Sequence, residues 1–549
     1  MKRNFIYIFF LFLIFSKVFT YENEDNKNLE DKKNTVLIDH LKAIVINDKY
    51  EKKNNVSNIV YSNVLVPKQD ELTNQLSKYL NQKVTINLLK EIKSVITEHY
   101  RNNNYPLVGV KMPAGQNITN GEVYFVISLA KLGNVNIENN KYFSTSYMLD
   151  QISLNKGEVI DTNLILKDLE WFNDNPFRNV NVVYSPSDKL SETDITFHVE
   201  DITPYRVYAG YENTGNAVAG ESRFFAGLNL GNVFKLDQQL NFQFTTAKDP
   251  QKWLGVSGTY IIPFPWHHLI KVLGSYSRVQ PGVEEFQNLK GTGYYIGARY
   301  EIQLKPYKKY SHDFIFGYDF KTTNNFLTYA DNLIFNNDID VSEFLLKYQG
   351  ILDDSLGSTS FELYLYLSPG NMTSDNNKKS YALERAGAKP NYAYLVLDIE
   401  RITRLFFKMS LVTNFLGQVS SGKLLLSEQL SLGGYITIRG YMENEIAGDK
   451  GILFKNELRL PPIKFGRNRL ENEIQFLGFL DYGVAEDVDK SLLDKKSQSL
   501  LSTGPGLRYR IGSNLTFRLD YGFQLKTVHG RFFGKNRDGR WHINVTGAY

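Results

Sequence analysis

Cysteine is absent from this chain. That excludes disulfides, thiolate metal sites and a lipidated N-terminal cysteine. Histidine is sparse, with 8 scattered residues, and the adjacent pair His267-His268 has no carboxylate at ligand spacing, so no metal site is expected. Charge of either sign barely predominates. A formal net charge of +4 without a concentrated basic arm argues against a nucleic-acid partner. Catalytic signatures are missing too: no His-Glu-x-x-His, Gly-x-Ser-x-Gly or zinc-ligand spacing occurs. Gly417–Lys423 almost spells a phosphate-binding loop, but Leu424 follows where Ser or Thr is required, and Gly291-Thr-Gly293 lacks a third glycine. With no nucleophile, base or nucleotide cradle, neither an enzyme nor a cofactor is expected.

Long apolar runs are also scarce. Lys2 and Arg3 precede one run from Phe5 to Phe15, followed by the polar Ser16–Thr20. This is the outline of a secretory signal peptide over residues 1–20, and the run is too short to span a bilayer. No later stretch of roughly 18 apolar residues appears, so no transmembrane helix is expected. Any membrane crossing must then use a closed barrel, because lipid leaves the backbone no other way to satisfy its hydrogen bonds. What is abundant is aromatic: 35 Tyr and 36 Phe, against 4 Trp, a load that suits β-structure with interfacial girdles.

Residues 21–37 are polar and charged and read as a flexible lead-in. A strand–helix–helix–strand–strand pattern then runs over 38–129, with Leu72, Leu76 and Leu80 on one helix face and Leu89, Ile92 and Ile96 on another. The pattern repeats over 130–202, where Ile165, Leu169 and Phe172 share a helix face and Ile195, Phe197 and Val199 alternate in the last strand. Each repeat reads as a small α+β domain whose sheet leaves an edge open to strand addition. From 203 to 549 helical periodicity vanishes. Alternating segments of roughly ten residues, separated by Gly, Asn, Asp and Lys clusters, yield sixteen candidate strands. The fold class is mainly β: a 16-stranded antiparallel transmembrane barrel behind two small α+β domains.

Two short stretches in the barrel invite pairing. Leu432–Tyr441 contains Arg439-Gly440-Tyr441, and Phe479-Leu-Asp-Tyr-Gly483 contains Asp481. A guanidinium and a carboxylate match in two-pronged fashion, and Gly440 lets the backbone turn beside the arginine. Strand alternation puts Phe479, Asp481 and Gly483 on one face and Leu480 and Tyr482 on the other. By themselves such motifs mark no more than a turn and a strand end.

Tyr100–Val108, Pro113–Gln116 and Asn120-Gly121 resemble the first polypeptide-transport-associated (POTRA) domain of two-partner secretion transporters. Asn173–Arg178 with Thr193–Ile195 resembles the second. These transporters are of the haemolysin and filamentous-haemagglutinin type, within the superfamily that includes barrel-assembly factors. The resemblance implies that the sixth outer loop, 417–450, folds into the lumen and that Arg439, Gly440 and Tyr441 meet Asp481, with Phe479 and Gly483, on the thirteenth strand. It implies an outer-membrane transporter, POTRA-like domains in the periplasm, that secretes a large partner protein. The client would be bound unfolded near Tyr105, Pro113, Gln116 and Pro176. The chain ends on an alternating strand and an aromatic, Tyr549, in the manner of a barrel-insertion signal, which implies the barrel-assembly machinery and outer-membrane lipids as further partners. An assembly factor that inserts other barrels shares the motif and stays open as an alternative. A simple porin leaves the two repeats without a role.

Overall fold

The computed structural model describes residues 35–549 except 53–55, 190, 217–218, 281–287, 308, 330–331, 467–471, 489–496 and 528–537. The expected signal peptide lies outside the described residues, as does all but the end of the lead-in. The chain forms two compact units. One takes the residues up to Asn134 with Lys156–Thr162 and Ser185–Asp194; the other takes Val135–Asn155, Asn163–Tyr184 and Ile195–Tyr549.

In the first unit four strands pair in the order Asn58–Ser62, Ala43–Asn47, Glu122–Leu129, Val108–Lys111. Helices Gln69–Ser77 and Ile86–Asn102 cover one face. Leu72, Leu76, Leu89, Ile92 and Ile96 pack with Ile44, Ile46, Val123, Phe125 and Ile127 in one buried cluster, as the i, i+3, i+4 spacing requires. The second helix is capped by Thr85, whose hydroxyl accepts from the Leu88 N–H at 3.1 Å. Two features depart from the sequence reading. Val36 and Leu37, assigned to the lead-in, belong to a strand that pairs with Val84–Thr85. Asn58–Ser62 is an additional strand, parallel to Ala43–Asn47. It is half-buried without clean alternation, because Ile59 and Tyr61 pack on the core from a sheet edge.

The second repeat has helices Thr145–Leu149 and Thr162–Asn173 and strands ordered Lys131–Glu138, Glu192–Asp201, Arg178–Pro186. Phe172 meets Phe197 edge-on at 5.6 Å between helix and sheet.

From Tyr205 onward the second unit is a closed antiparallel barrel of sixteen strands. Strand one (Tyr205–Glu212) pairs with strand sixteen (Gly539–Ala548), so no edge faces lipid. Strand twelve is Lys450–Arg459, continued by Ile463–Phe465 beyond Pro461-Pro462; both pieces pair with strand thirteen, Asn472–Glu486. The prolines supply no N–H, so the ladder breaks there. Strands seven (Tyr310–Tyr329) and eight (Asn332–Asp354) run well past the expected ends. Asn324 and Asp338, which read as turn residues, are ladder partners. Beyond the bilayer either face of a hairpin can be polar, so composition no longer marks its end. Strand eleven is displaced for the opposite reason. Leu405–Met409 is apolar but for Lys408, yet forms a tight turn, with Phe407 at φ 54, and the strand begins at Ser410. Among the described residues no helix is long and apolar enough to cross a membrane.

Inside the second unit, the second repeat is fastened to the near rim of the barrel by buried polar contacts. Arg178 donates to Asp237 at 2.7 Å, in the turn before strand three (Gln238–Ala247). Asn175 donates to the same carboxylate and to the Gly231 carbonyl, each at 2.7 Å. Phe177 lies over Gly231 so closely that a Cβ there would come within 2.0 Å of its ring. A second contact seats His267, from the turn before strand five (His268–Val279), under Trp171 at 4.9 Å. Its Nε2 donates to the Gln151 carbonyl at 2.8 Å, and Asp168 Oδ1 lies 3.5 Å away. Burial pushes the imidazole down to about 4. Burial likewise pushes Asp168 up to about 6, outweighing the two hydrogen bonds from Ser153.

Two outcomes follow. Arg178→Ala strands a buried carboxylate and should cost the joint about 3–5 kcal/mol, while Arg178→Met with Asp237→Leu should cost less than either single change. Protease resistance of the second repeat in the folded barrel measures this. The pH response separates His267 from Asp168. A raised acid pKa removes stability as pH climbs from the unfolded value to about 6, and a lowered histidine pKa removes it as pH falls from 6.5 to about 4, so the two offset. In His267→Gln the Asp168 contribution stands alone, and about 3 kcal/mol should be lost between pH 4 and 6. A flat profile in that variant would refute the assignment.

Candidate functional site: the inward loop

The connection between strand eleven (Ser410–Ser420) and strand twelve turns into the barrel as a small hairpin, Leu430–Leu432 against Ile446–Gly448. It is the sixth loop on the barrel rim opposite the turns that carry Asp237 and His267. Leu432, Ile438 and Tyr441 pack with Leu453, Ala485 and Leu500, which belong to strands twelve, thirteen and fourteen (Gln498–Ile511). Apolar burial therefore draws the hairpin to one side of the lumen.

At the tip the contacts become ionic. Arg439 is fully buried. Its Nε and Nη2 donate to the two oxygens of Asp481 at 2.7 and 2.8 Å, and its backbone N–H donates to Oδ2 at 3.2 Å. Its Nη1 donates to Glu457 of strand twelve at 2.6 Å and lies 3.7 Å from Asp520 of strand fifteen (Leu515–Gln524). The guanidinium plane rests on Phe479, 3.6 Å from the ring centroid. Asp481 faces inward and is buried, while Leu480 and Tyr482 are exposed on the opposite face of the strand.

The carboxylates that receive Arg439 are themselves held. Glu457 accepts from Arg459 at 2.8 and 2.5 Å and lies 3.5 Å from Arg508. Asp520 accepts from Arg508 at 2.6 Å and from Arg518 at 2.7 Å. Arg518 also stacks on Tyr435 of the loop at 3.9 Å. The wall of strands twelve to fifteen is thus a lattice of alternating charges into which the loop inserts one further cation. Charge-assisted pairs in such a confined space are far stronger than on a wet surface.

Gly440 allows the approach. It has φ +92, and a Cβ there would come within 2.7 Å of the Gly522 carbonyl. Its N–H donates to His542 Nε2 at 2.8 Å and its carbonyl accepts from Gln524 at 2.6 Å. The Tyr441 hydroxyl lies 2.8 and 2.6 Å from the carbonyls of Leu501 and Lys526. Gly483 faces the loop: a Cβ there would come within 2.9 Å of Leu432 and Ile438.

The residues expected to contact a client lie in and beside the two repeats. Gln116 has its amide bound to the backbone of Tyr124, accepting at 2.8 Å and donating at 3.2 Å. Tyr105 packs against the first unit's core, edge-on to Tyr100 at 6.4 Å. Pro113 is half-buried, and Pro176 is exposed between the buried Asn175 and Phe177 of the joint. The Tyr549 side chain is exposed, while its backbone pairs with Val207 at 2.9 and 3.0 Å. Sequence reading missed Glu457, Arg508, Gln524 and His542. A signal for Glu457 was present: Lys455, Glu457 and Arg459 occupy alternate positions and so share one face of a strand.

The close approach at Gly440 is testable. Gly440→Ala should displace the tip and make loop six of the folded barrel protease-sensitive. Gly478→Ala, where nothing lies within 4 Å of the added carbon, should leave it resistant.

Comparison with known proteins places this geometry. Residues 191–509 match the family described as haemolysin secretion/activation protein ShlB/FhaC/HecB. Residues 55–128 match the ShlB-type POTRA domain, and residues 130–201 match the POTRA family described as surface antigen variable number repeat. The heme/hemopexin transporter protein HuxB of Haemophilus influenzae is 25% identical over 461 residues, covering 80% of this chain and 77% of HuxB. CdiB from Escherichia coli shares the fold with a TM-score of 0.78 at 16% identity, over 97% of this chain and 93% of that one. CdiB from Acinetobacter baumannii does so with a TM-score of 0.68 at 13% identity, over 93% and 90% of the two chains. This chain belongs to the haemolysin secretion/activation family, and is an outer-membrane β-barrel transporter, with periplasmic POTRA domains, that secretes a partner exoprotein.

Proposed function

We propose that the exoprotein is received unfolded in the periplasm by the two POTRA domains and leaves through the barrel lumen once the tip of loop six parts from strands twelve to fifteen. The observation that carries this reading is the complete burial of Arg439 between Asp481 and Glu457 in the interior of the barrel. A cation so placed holds a movable segment against one wall without a covalent link. In the first unit, strands Asn58–Ser62 and Val108–Lys111 are the sheet edges, and an extended client can add to either. The open backbone groups of these edges support capture by strand pairing, with Tyr105, Pro113, Gln116 and Pro176 as further contacts for the client. Client folding outside the cell makes transit directional.

The same reading assigns two further partners. The barrel-assembly machinery takes the terminal strand and its exposed aromatic, Tyr549, as an insertion signal. Outer-membrane lipids meet the outward row of strand thirteen, where Phe476, Leu480 and Tyr482 are exposed.

The experiment is secretion of the cognate exoprotein from cells carrying Arg439→Ala or Asp481→Asn. Secretion should fall at least tenfold in each, while the amount of folded, heat-modifiable barrel stays unchanged. Arg439→Lys should secrete at a level between the unaltered protein and Arg439→Ala, since an ammonium keeps the charge but cannot reach both carboxylates with the guanidinium's planar fork. Undiminished secretion by Arg439→Ala and Asp481→Asn would overturn the role given to the loop.

A further inference from the structure

Loop six is gripped at its shoulders as well as at its tip. The inner hairpin is flanked by Glu428 on one side and Asp449 on the other, and both are buried. Glu428 accepts from Lys321 Nζ with both oxygens, at 2.9 and 2.8 Å. Lys321 belongs to strand seven and also donates to Glu343 of strand eight at 2.8 Å. The Tyr394 hydroxyl of strand ten (Tyr392–Arg404) donates to Glu428 at 2.8 Å, and Gln418 donates to its carbonyl at 3.0 Å. On the other shoulder Asp449 accepts from the backbone N–H groups of Leu424 and Val488, both at 2.9 Å, and from Arg385. Arg385 follows the short helix Lys378–Glu384 of loop five and donates to the Leu424 carbonyl at 2.6 Å and to Asp487 at 2.7 Å.

None of these groups is a partner of Arg439. Glu428 holds the side of the barrel formed by strands seven, eight and ten, and Arg439 holds the side formed by strands twelve to fifteen. The two attachments also differ in what they leave behind. If Glu428 withdraws, Lys321 keeps Glu343, so the wall retains a matched ion pair. If Arg439 withdraws, Asp481 loses the one ion-pair partner it has among the described residues. A buried carboxylate left alone is costly, whereas a lysine that keeps one of two acids is not.

We propose that Glu428 on Lys321 forms a second clasp that keeps loop six in the lumen when the Arg439 clasp is broken. The inference rests on loop six being the movable occupant of the pore. It adds Glu428, Lys321 and Tyr394 to the residues that position it.

The absence of cysteine makes the test direct. Ser502 is fully buried on strand fourteen, beside Asp481 in the register, and Ser502→Cys is a near-isosteric reporter. The readout is its labelling by a membrane-impermeant maleimide in purified, heat-modifiable protein, without client. In the Arg439→Ala background, adding Glu428→Gln should speed labelling at least fivefold. An increase below fivefold overturns the second clasp. If that double variant does not fold, Tyr394→Phe replaces Glu428→Gln. It removes only one hydroxyl, and a rise of at least twofold is expected; a smaller rise overturns the proposal in the same way. Because no exoprotein is present, a failed route through the lumen would show in the secretion assay and leave this labelling result untouched.

Discussion

A guanidinium removed from water must recover from its surroundings the interactions it has lost, and Arg439 recovers them from the barrel wall. Asp481 and Glu457 accept its hydrogen bonds, Asp520 lies close by and the Phe479 ring covers its plane. The requirement runs both ways. The wall of strands twelve to fifteen carries buried acids that need cations, and the loop carries a cation that needs acids. Asp481 pairs with no other cation among the described residues, and Arg439 finds its acids only in the wall, so each fixes the conformation of the other. Glycine backbones at 440 and 522 let the two approach to a distance no side chain would permit.

The same physics recurs at the near rim. Arg178, Asn175 and Asp237 form a buried polar joint, and His267 under Trp171 supplies a second one in which both ionisable groups tend toward neutrality. A joint of this kind is directional, because hydrogen bonds fix angles where apolar contact alone would let the domain slide.

Loop six therefore sits between two sets of charges with different responses to its departure. The tip leaves an unmatched carboxylate behind, and the shoulder does not. An occupant held in this way resists thermal opening without being permanently fixed.

Much of this was legible in the residues themselves. Period-two alternation laid out sixteen strands in their order, and an even count put Arg439 in the sixth far-side loop and Asp481 on strand thirteen, because side-chain alternation is local and survives any tertiary arrangement. Helix faces such as Leu89, Ile92 and Ile96 were legible for the same reason. The strand ends were not. Asn324 and Asp338 look like turn residues yet continue a ladder, since backbone pairing outside the bilayer does not depend on side-chain polarity. Nor were Glu457, Asp520 and His542 legible as partners of one loop, because strands far apart in the chain become neighbours only when the sheet closes. The sequence by itself determined which residues face inward. Tertiary structure alone decided which inward charges meet, because that depends on barrel closure and on a hairpin returning through the interior.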